Sequence, residues 1–218
     1  MTVLDVRHLA ANIQAMPALR DLSLHVGEGD MVSLVGRNGA GKTSFMRTVM
    51  GHLAASGGEV QFAGQDLLRQ PRHARAALGI GYMPEDRGLV PQLTVEENVL
   101  LPLWVNPQLN RRDRLALVYR LLPEVHDMRE RRALLLSGGQ QKLVALGRAL
   151  AVGTKLLLLD EPFEGVAPAL AQRLAEVIHA LQGTMLAVLI SQSDGHHDAS
   201  LFARQYVIER GANAVVAS

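Results

Sequence analysis

Gly36-Arg37-Asn38-Gly39-Ala40-Gly41-Lys42-Thr43 spells G-x-x-x-x-G-K-T, the spacing of a loop that cradles phosphate. The flanks give the letters their meaning. Met31 to Val35 is a short apolar run of strand type, and Ser44 to Met50 can continue as a helix. A glycine-rich turn between strand and helix aims several backbone N–H groups and a helix N-terminus at one point. Lys42 adds a mobile cation for the phosphates, and the Thr43 hydroxyl is placed to hold the divalent cation that accompanies them.

The composition fits an enzyme-sized core. A chain of 218 residues is long enough to bury one domain, with room for two lobes. The hydrophobic fraction is 48%, yet no apolar run approaches the roughly 20 residues needed to cross a bilayer. No basic-then-apolar leader opens the chain, so no signal peptide is expected. The absence of cysteine excludes disulfides and thiolate chemistry. A net charge of +1 provides no global field for nucleic acid. The basic clusters at Arg111, Arg112 and Arg114, and at Arg129, Arg131 and Arg132, read as solvated helix ends and loops.

Outward from the loop, Val3 to Val6 and Leu22 to Val26 read as paired strands, with a turn at Gly27 to Asp30. Gly57-Gly58 reads as a turn ahead of a strand at Glu59 to Phe62, and Ile80 to Met83 as a strand stopped by Pro84. From Thr94 the signals become helical. Thr94 and Glu97 form a capping box, Asp113 to Leu122 is amphipathic, and Ser137 to Ala151 is a further helix. Apolar runs then return at Leu156 to Asp160 and Met185 to Ile190, as suits a parallel sheet covered on both faces. Ala169 to Leu181 supplies the crossover helix. Tyr206 to Glu209 and Ala214 to Val216 close a hairpin around Gly211. The expected fold is α/β, with residues 1–84 and 154–218 as the phosphate-binding core and residues 85–153 as a helical insertion.

Two further elements bear on phosphate. Leu156 to Glu161 is an apolar strand ending in two carboxylates. Beside a phosphate loop, Asp160 suits a Mg²⁺ ligand, and Glu161 can accept a proton from, or orient, an attacking water. Leu136-Ser137-Gly138-Gly139-Gln140-Gln141-Lys142 opens a helix whose N-terminal end carries roughly half a positive charge. Ser137 can cap that helix. A second phosphate site in one chain implies a second ligand or a second subunit sharing the ligand. His196-His197-Asp198 reads as a solvated loop rather than a metal site, because no other ligand set has metal-like spacing.

The phosphate loop, the LSGGQQK run and the LLLLDEP run, in that order, resemble the nucleotide-binding subunit of ABC transporters along nearly the whole chain. The resemblance implies a P-loop NTPase (RecA-like) core with an antiparallel β-subdomain and an inserted helical subdomain. It implies ATP with Mg²⁺ as ligands, and two ATPase domains dimerised head to tail. ATP then contacts Gly36, Arg37, Asn38, Gly39, Ala40, Gly41, Lys42, Thr43 and Ser44, with Ala18 and Ile13 toward the base. Ser137, Gly138 and Gly139 serve the nucleotide held by the partner's loop. Thr43, Asp160 and Glu85 are the metal-side residues, and Lys42, Glu161 and Gln192 the catalytic ones.

The departures from the family pattern narrow it. Matching through Ala18 to Leu22 puts Ile13 where an aromatic usually stacks on adenine. Glu85 stands for the glutamine that senses Mg²⁺, and Gln192 for the switch histidine, so Glu161 with Gln192 is expected to orient water. Met83-Pro84-Glu85, Leu93 to Asn98, Gly165 to Pro168 and Gln192 together resemble the second ATPase subunit of branched-chain amino-acid importers, with urea or amide importers built similarly. The implied partners are a second ATPase subunit (a paralogue or a second copy), two membrane permeases and, indirectly, a solute-binding protein. The implied location is the cytoplasmic face of the membrane. Part of the apolar set Leu89, Val90, Leu93, Val99, Leu100, Leu101, Leu103 and Trp104 is expected to grip a permease segment, and the rest to pack internally. A soluble non-transport ABC ATPase, a weakly hydrolysing regulatory cassette and a small-molecule kinase are the competing readings.

Overall fold

A computed structural model describes residues 1–193 and 202–214. The His196 to Asp198 loop and the Val215-Val216 end of the expected hairpin lie outside the described residues.

Among the described residues, ten strands form one sheet in the order β5-β4-β1-β2-β10-β9-β3-β8-β7-β6. The antiparallel end comprises β1 (Thr2–Ile13), β2 (Met16–Gly27), β4 (Ala55–Phe62) and β5 (Gln65–Asp66). The parallel end comprises β3 (Met31–Val35), β6 (Ile80–Met83), β7 (Leu156–Asp160), β8 (Ala187–Gln192) and β9 (Arg204–Glu209). The short β10 (Ala212–Asn213) joins them, antiparallel to β9 and parallel to β2. The helices are α1 (Lys42–Val49), α2 (Ala74–Ala77), α3 (Val95–Leu100), α4 (Arg111–Leu121), α5 (Pro123–Asp127), α6 (Gly138–Val152) and α7 (Pro168–His179).

Strand alternation divides the core between the two faces of the parallel strands. Leu157, Leu159, Val188 and Ile190 pack with Val144, Leu174 and Val177 from α6 and α7. Leu156, Leu158, Ala187 and Leu189 pack with Phe45, Met46 and Val49 from α1 and with the hairpin residues Leu4 and Leu24. All of these side chains are at most 3% exposed, and each one larger than alanine contributes about 1.5–3 kcal/mol by leaving water. Val99 and Leu103 belong to the core packed against α6, each 0% exposed, so these two fall in the part of the apolar set that packs internally.

Both ends of α6 are secured. At its N-terminus Ser137 accepts from the Gln140 N–H while the Gln140 side chain accepts from the Ser137 N–H, a complete capping box. At its C-terminus Arg114 donates to the carbonyls of Leu150, Ala151 and Gly153 at 2.5, 2.7 and 2.9 Å. Arg114 is therefore a half-buried cap on the negative end of a helix, not the solvated residue its arginine-rich neighbourhood suggests. Thr94 and Glu97 likewise complete the box at the start of α3.

Gly57-Gly58 is not a turn. Both residues lie inside β4, opposite a bulge where three steps along β1 (Arg7 to Ala10) match two along β4 (Glu59 to Gly57). The bulge pushes the His8 carbonyl to where a Cβ on Gly58 would lie 2.4 Å away, and Gly58 has φ +88°.

Helix α6 approaches β6 just as closely. A Cβ on Gly81 would meet the Ala149 carbonyl oxygen at 2.1 Å. That oxygen belongs to the helix backbone and cannot rotate away. Gly81→Ala is expected to lower unfolding free energy by about 1–3 kcal/mol, the usual range for overpacking. Urea denaturation measures it, and an unchanged midpoint would mean that α6 shifts freely over the sheet.

Candidate functional site

The loop between β3 and α1 carries the phosphate motif. Gly41, at φ 115°, is the N-cap of α1. The turn is braced from below, where Gly211 N–H donates to the Ala40 carbonyl at 2.8 Å. Asn38, Gly39, Gly41, Lys42, Thr43 and Ser44 line a cleft of about 710 Å³. Ile13, Ala18, Glu85 and Glu161 line the same cleft. Gly36 and Ala40 are buried beneath the loop, with Gly36 against the Ile208 carbonyl, and Arg37 is exposed on its outer side.

Lys42 and Glu161 form a buried ion pair, Nζ to Oε1 3.0 Å, with side chains 5% and 7% exposed. Lys42 also donates to the carbonyls of Gly36 and, at 3.2 Å, Arg37. Glu161 follows the last residue of β7 with φ 48°. That left-handed backbone costs a non-glycine residue about 1–2 kcal/mol, and it marks the position where the chain leaves the sheet and the carboxylate meets Lys42. Ser191 accepts from the Glu161 N–H at 3.0 Å.

Asp160 is fully buried and lies under Thr43, whose hydroxyl is 3.3 Å from Oδ1. Ser191 donates to the same oxygen at 2.7 Å. Tyr82 donates to Oδ2 at 3.5 Å. Burial pushes the Asp160 carboxyl above its ordinary range, against the hydrogen bonds from Ser191 and Thr43. Burial and the Asp160 charge push the Tyr82 phenol far up, so it remains a donor. Glu85 Oε2 lies 3.4 Å from Thr43 Oγ1. Among the described residues no group of three or more His, Cys, Asp or Glu side chains gathers as a closed metal site. Two carboxylates and a hydroxyl are instead the partial oxygen set that Mg²⁺ shares with a substrate phosphate. A cation here would relieve the cost of ionising Asp160.

Gln192, expected to orient water together with Glu161, is 3% exposed and, among the described residues, its Nε2 has no hydrogen-bond partner. Ser193 holds Glu161, Oγ to Oε1 2.8 Å. Within one molecule the two phosphate elements lie apart. Ser137, Gly138 and Gly139 do not line the cleft; they sit at the start of α6, with Gly138 beside Arg87 and Gly139 beside Leu170.

Sequence reasoning also missed Arg20 and Arg210, which line the cleft on the side of Ile13, and Lys142. The Lys142 ammonium donates to the carbonyls of Glu161, Pro162 and Glu164, at 3.0 and 3.1 Å for the first two. It fastens the loop after β7 to α6. Nothing in the local sequence around Lys142 signals this.

A second cavity, about 910 Å³, adjoins the cleft and shares Thr43 and Glu85 with it. Met50, Ile80, Leu101, Pro102 and Val152 give it apolar walls. Trp104, 50% exposed, lies just beyond Leu101 and Pro102 in the chain.

Residues 19–164 match the sequence profile of the family described as ABC transporter. The high-affinity branched-chain amino acid transport ATP-binding protein BraG of Pseudomonas aeruginosa is 35% identical over 194 residues, covering 89% of this chain and 83% of the relative. The lipopolysaccharide export system ATP-binding protein LptB of Haemophilus influenzae is 33% identical over 220 residues, covering 100% of this chain and 90% of the relative. A crystal structure of an ATP-binding cassette of an ABC transporter in its ADP conformation superposes with a TM-score of 0.82 at 26% identity, covering 99% of this chain and 90% of that one.

Proposed function

The chain belongs to the ABC transporter family, and from that premise we propose that it is the ATP-hydrolysing motor subunit of an importer for branched-chain or other amino acids. One observation carries the site reading: Lys42, Thr43 and Glu161 line a single cleft, with Asp160 buried beneath Thr43, and Glu85 at its edge also lines the neighbouring apolar-walled cavity.

The P-loop N–H groups and Lys42 bind the triphosphate. Lys42 then leaves Glu161 for the phosphate oxygens, and the freed carboxylate orients the attacking water and accepts its proton. Thr43, Asp160 and Glu85 would hold Mg²⁺, which when bound neutralises charge on the phosphates. Ser137, Gly138 and Gly139 contact the nucleotide of a second ATPase subunit, either a paralogue or another copy, so closure of the pair depends on bound ATP. Glu85 reports the state of the cleft to a permease segment seated in the adjoining cavity. Residues 85–153 move with that segment as a lobe, against the core formed by residues 1–84 and 154–218. No helix of the described residues is long and apolar enough to cross a membrane; the subunit works from the cytoplasmic face through two permeases, with a solute-binding protein delivering the cargo.

The importer reading rests on the likeness to BraG and on Glu85 and Gln192. A second reading, the motor of a lipopolysaccharide exporter, is favoured by the LptB likeness along the whole chain. Purification with native neighbours separates them. Co-purifying permeases with a solute-binding protein in the same gene cluster support the importer; partners that bind lipopolysaccharide overturn it.

Ile13, 49% exposed, and Met16, 76% exposed, offer the base an apolar rim with no aromatic face. Base–aromatic stacking is worth about 1–3 kcal/mol. Ile13→Tyr is therefore expected to tighten ATP binding about tenfold and to sharpen the preference for ATP over a pyrimidine triphosphate. Unchanged affinity in a fluorescent-nucleotide titration would remove residue 13 from the base site.

A further inference from the structure

We propose that Ser193 is a positioning residue for hydrolysis, holding the Glu161 carboxylate in place once Lys42 has moved to the phosphates. The inference rests on the motor reading above.

The geometry begins where the chain leaves β8. Ser191 lies in β8 and Ser193 is the first residue beyond its end, after Gln192. Both serines meet the two carboxylates at the end of β7. Ser191 bonds Asp160 Oδ1 and the Glu161 N–H. Ser193 Oγ lies 2.8 Å from Glu161 Oε1, 2.7 Å from Asn38 Oδ1 and 3.5 Å from Lys42 Nζ.

A hydroxyl has a single hydrogen to donate. The ionised carboxylate only accepts, so that hydrogen goes to Glu161. The two ends of the Asn38 carboxamide have the same shape, and the one facing Ser193 must then be its NH₂ group. The resulting relay runs from Asn38 of the phosphate loop through Ser193 to Glu161. It tells the carboxylate where the loop is.

Among the described residues, Lys42 and Ser193 are the two side chains that bond the Glu161 carboxylate. The phosphates compete for Lys42. They do not compete for a neutral hydroxyl in the same way, so Ser193 remains. Without it, the freed carboxylate regains its rotamers and spends less time aligned with water. The sequence hides this role because a serine near the end of a strand has many ordinary uses.

The test uses the chain purified with its native membrane neighbours, with Ser193→Ala and Ser193→Thr made in wild-type and Glu161→Gln backgrounds. Steady-state and single-turnover ATP hydrolysis supply kcat and KM. Ser193→Ala should lower kcat about tenfold, the loss expected for one hydrogen bond to a charged group, with KM changed less than about twofold. Ser193→Thr, which keeps the hydroxyl, should recover most of the rate. In the Glu161→Gln background Ser193→Ala should cost nothing further, because its effect passes through Glu161. An unchanged kcat in Ser193→Ala, a raised KM at constant kcat, or an equal fold-loss in both backgrounds would overturn the proposal while leaving Glu161 in the mechanism. If Glu161→Gln itself hydrolyses at the wild-type rate, the motor-site reading fails, and the proposal with it.

Discussion

Replacing Lys42 with alanine is expected to reduce kcat/KM at least about a thousand-fold and, less obviously, to destabilise the nucleotide-free chain by about 3 kcal/mol. The first effect follows from losing the one side-chain cation of the phosphate loop that lines the cleft floor, where charge develops in the transition state. The second follows from Glu161. Its side chain is 7% exposed, and Lys42 is its ion-pair partner. Removing one member of a buried pair strands the other, at a cost of about 3–5 kcal/mol; the hydrogen bond from Ser193 places this case at the lower end. The double variant Lys42→Ala with Glu161→Gln removes both charges, and should recover most of the stability while hydrolysis stays lost. Urea denaturation of the two single variants and the double one gives the coupling directly. Equal stabilities for wild type and Lys42→Ala would show that the pair is not held in the resting protein.

Much of this arrangement can be read in the sequence where local chemistry is strong. The strand, glycine turn and helix around Lys42 declare themselves because few other structures use that spacing. Leu156 to Leu159 could only be a strand buried on both faces. Thr94 and Glu97 carry their cap in their spacing. What the sequence does not reveal is set by distant partners. The bulge at His8 depends on β4 and makes Gly58 part of a strand rather than a turn. Arg114 caps a helix that ends about forty residues further on, so its arginine-rich surroundings mislead. β9 lies beside β3 because of the sheet's topology, not its own pattern. The resting ion pair between Lys42 and Glu161 is hidden for a different reason. Each residue is legible as chemistry toward a phosphate, and their pairing is a property of the cleft before that phosphate arrives. Gln192 and Ser193 differ by one position, and the course of the chain as it leaves β8 decides which of them faces Glu161.

Glu161→Gln should separate ATP binding from hydrolysis more cleanly than any other single change. Glutamine nearly matches glutamate in shape and keeps an oxygen that can accept from Lys42 and Ser193. It cannot take a proton from water. General-base loss costs about 10²–10⁴ in rate, so turnover in the assembled complex should fall by about a thousand-fold while ATP still binds. The consequence is conformational. If the Ser137 end of α6 completes the cleft of a second subunit, ATP joins the two and its hydrolysis releases them. A variant that binds without hydrolysing then accumulates in the closed state, because the step that weakens the joint has been removed. With ATP and Mg²⁺, the variant complex should retain nucleotide through gel filtration, and cross-linking between cysteines introduced at Ser137 of one subunit and near Gly39 of the other should rise several-fold over wild type. ADP should reverse neither variant nor wild type into that state. Wild-type turnover in Glu161→Gln would remove this carboxylate from the chemistry. Slow turnover without closure would keep the carboxylate and reject the shared cleft, which makes the two halves of the mechanism separately testable.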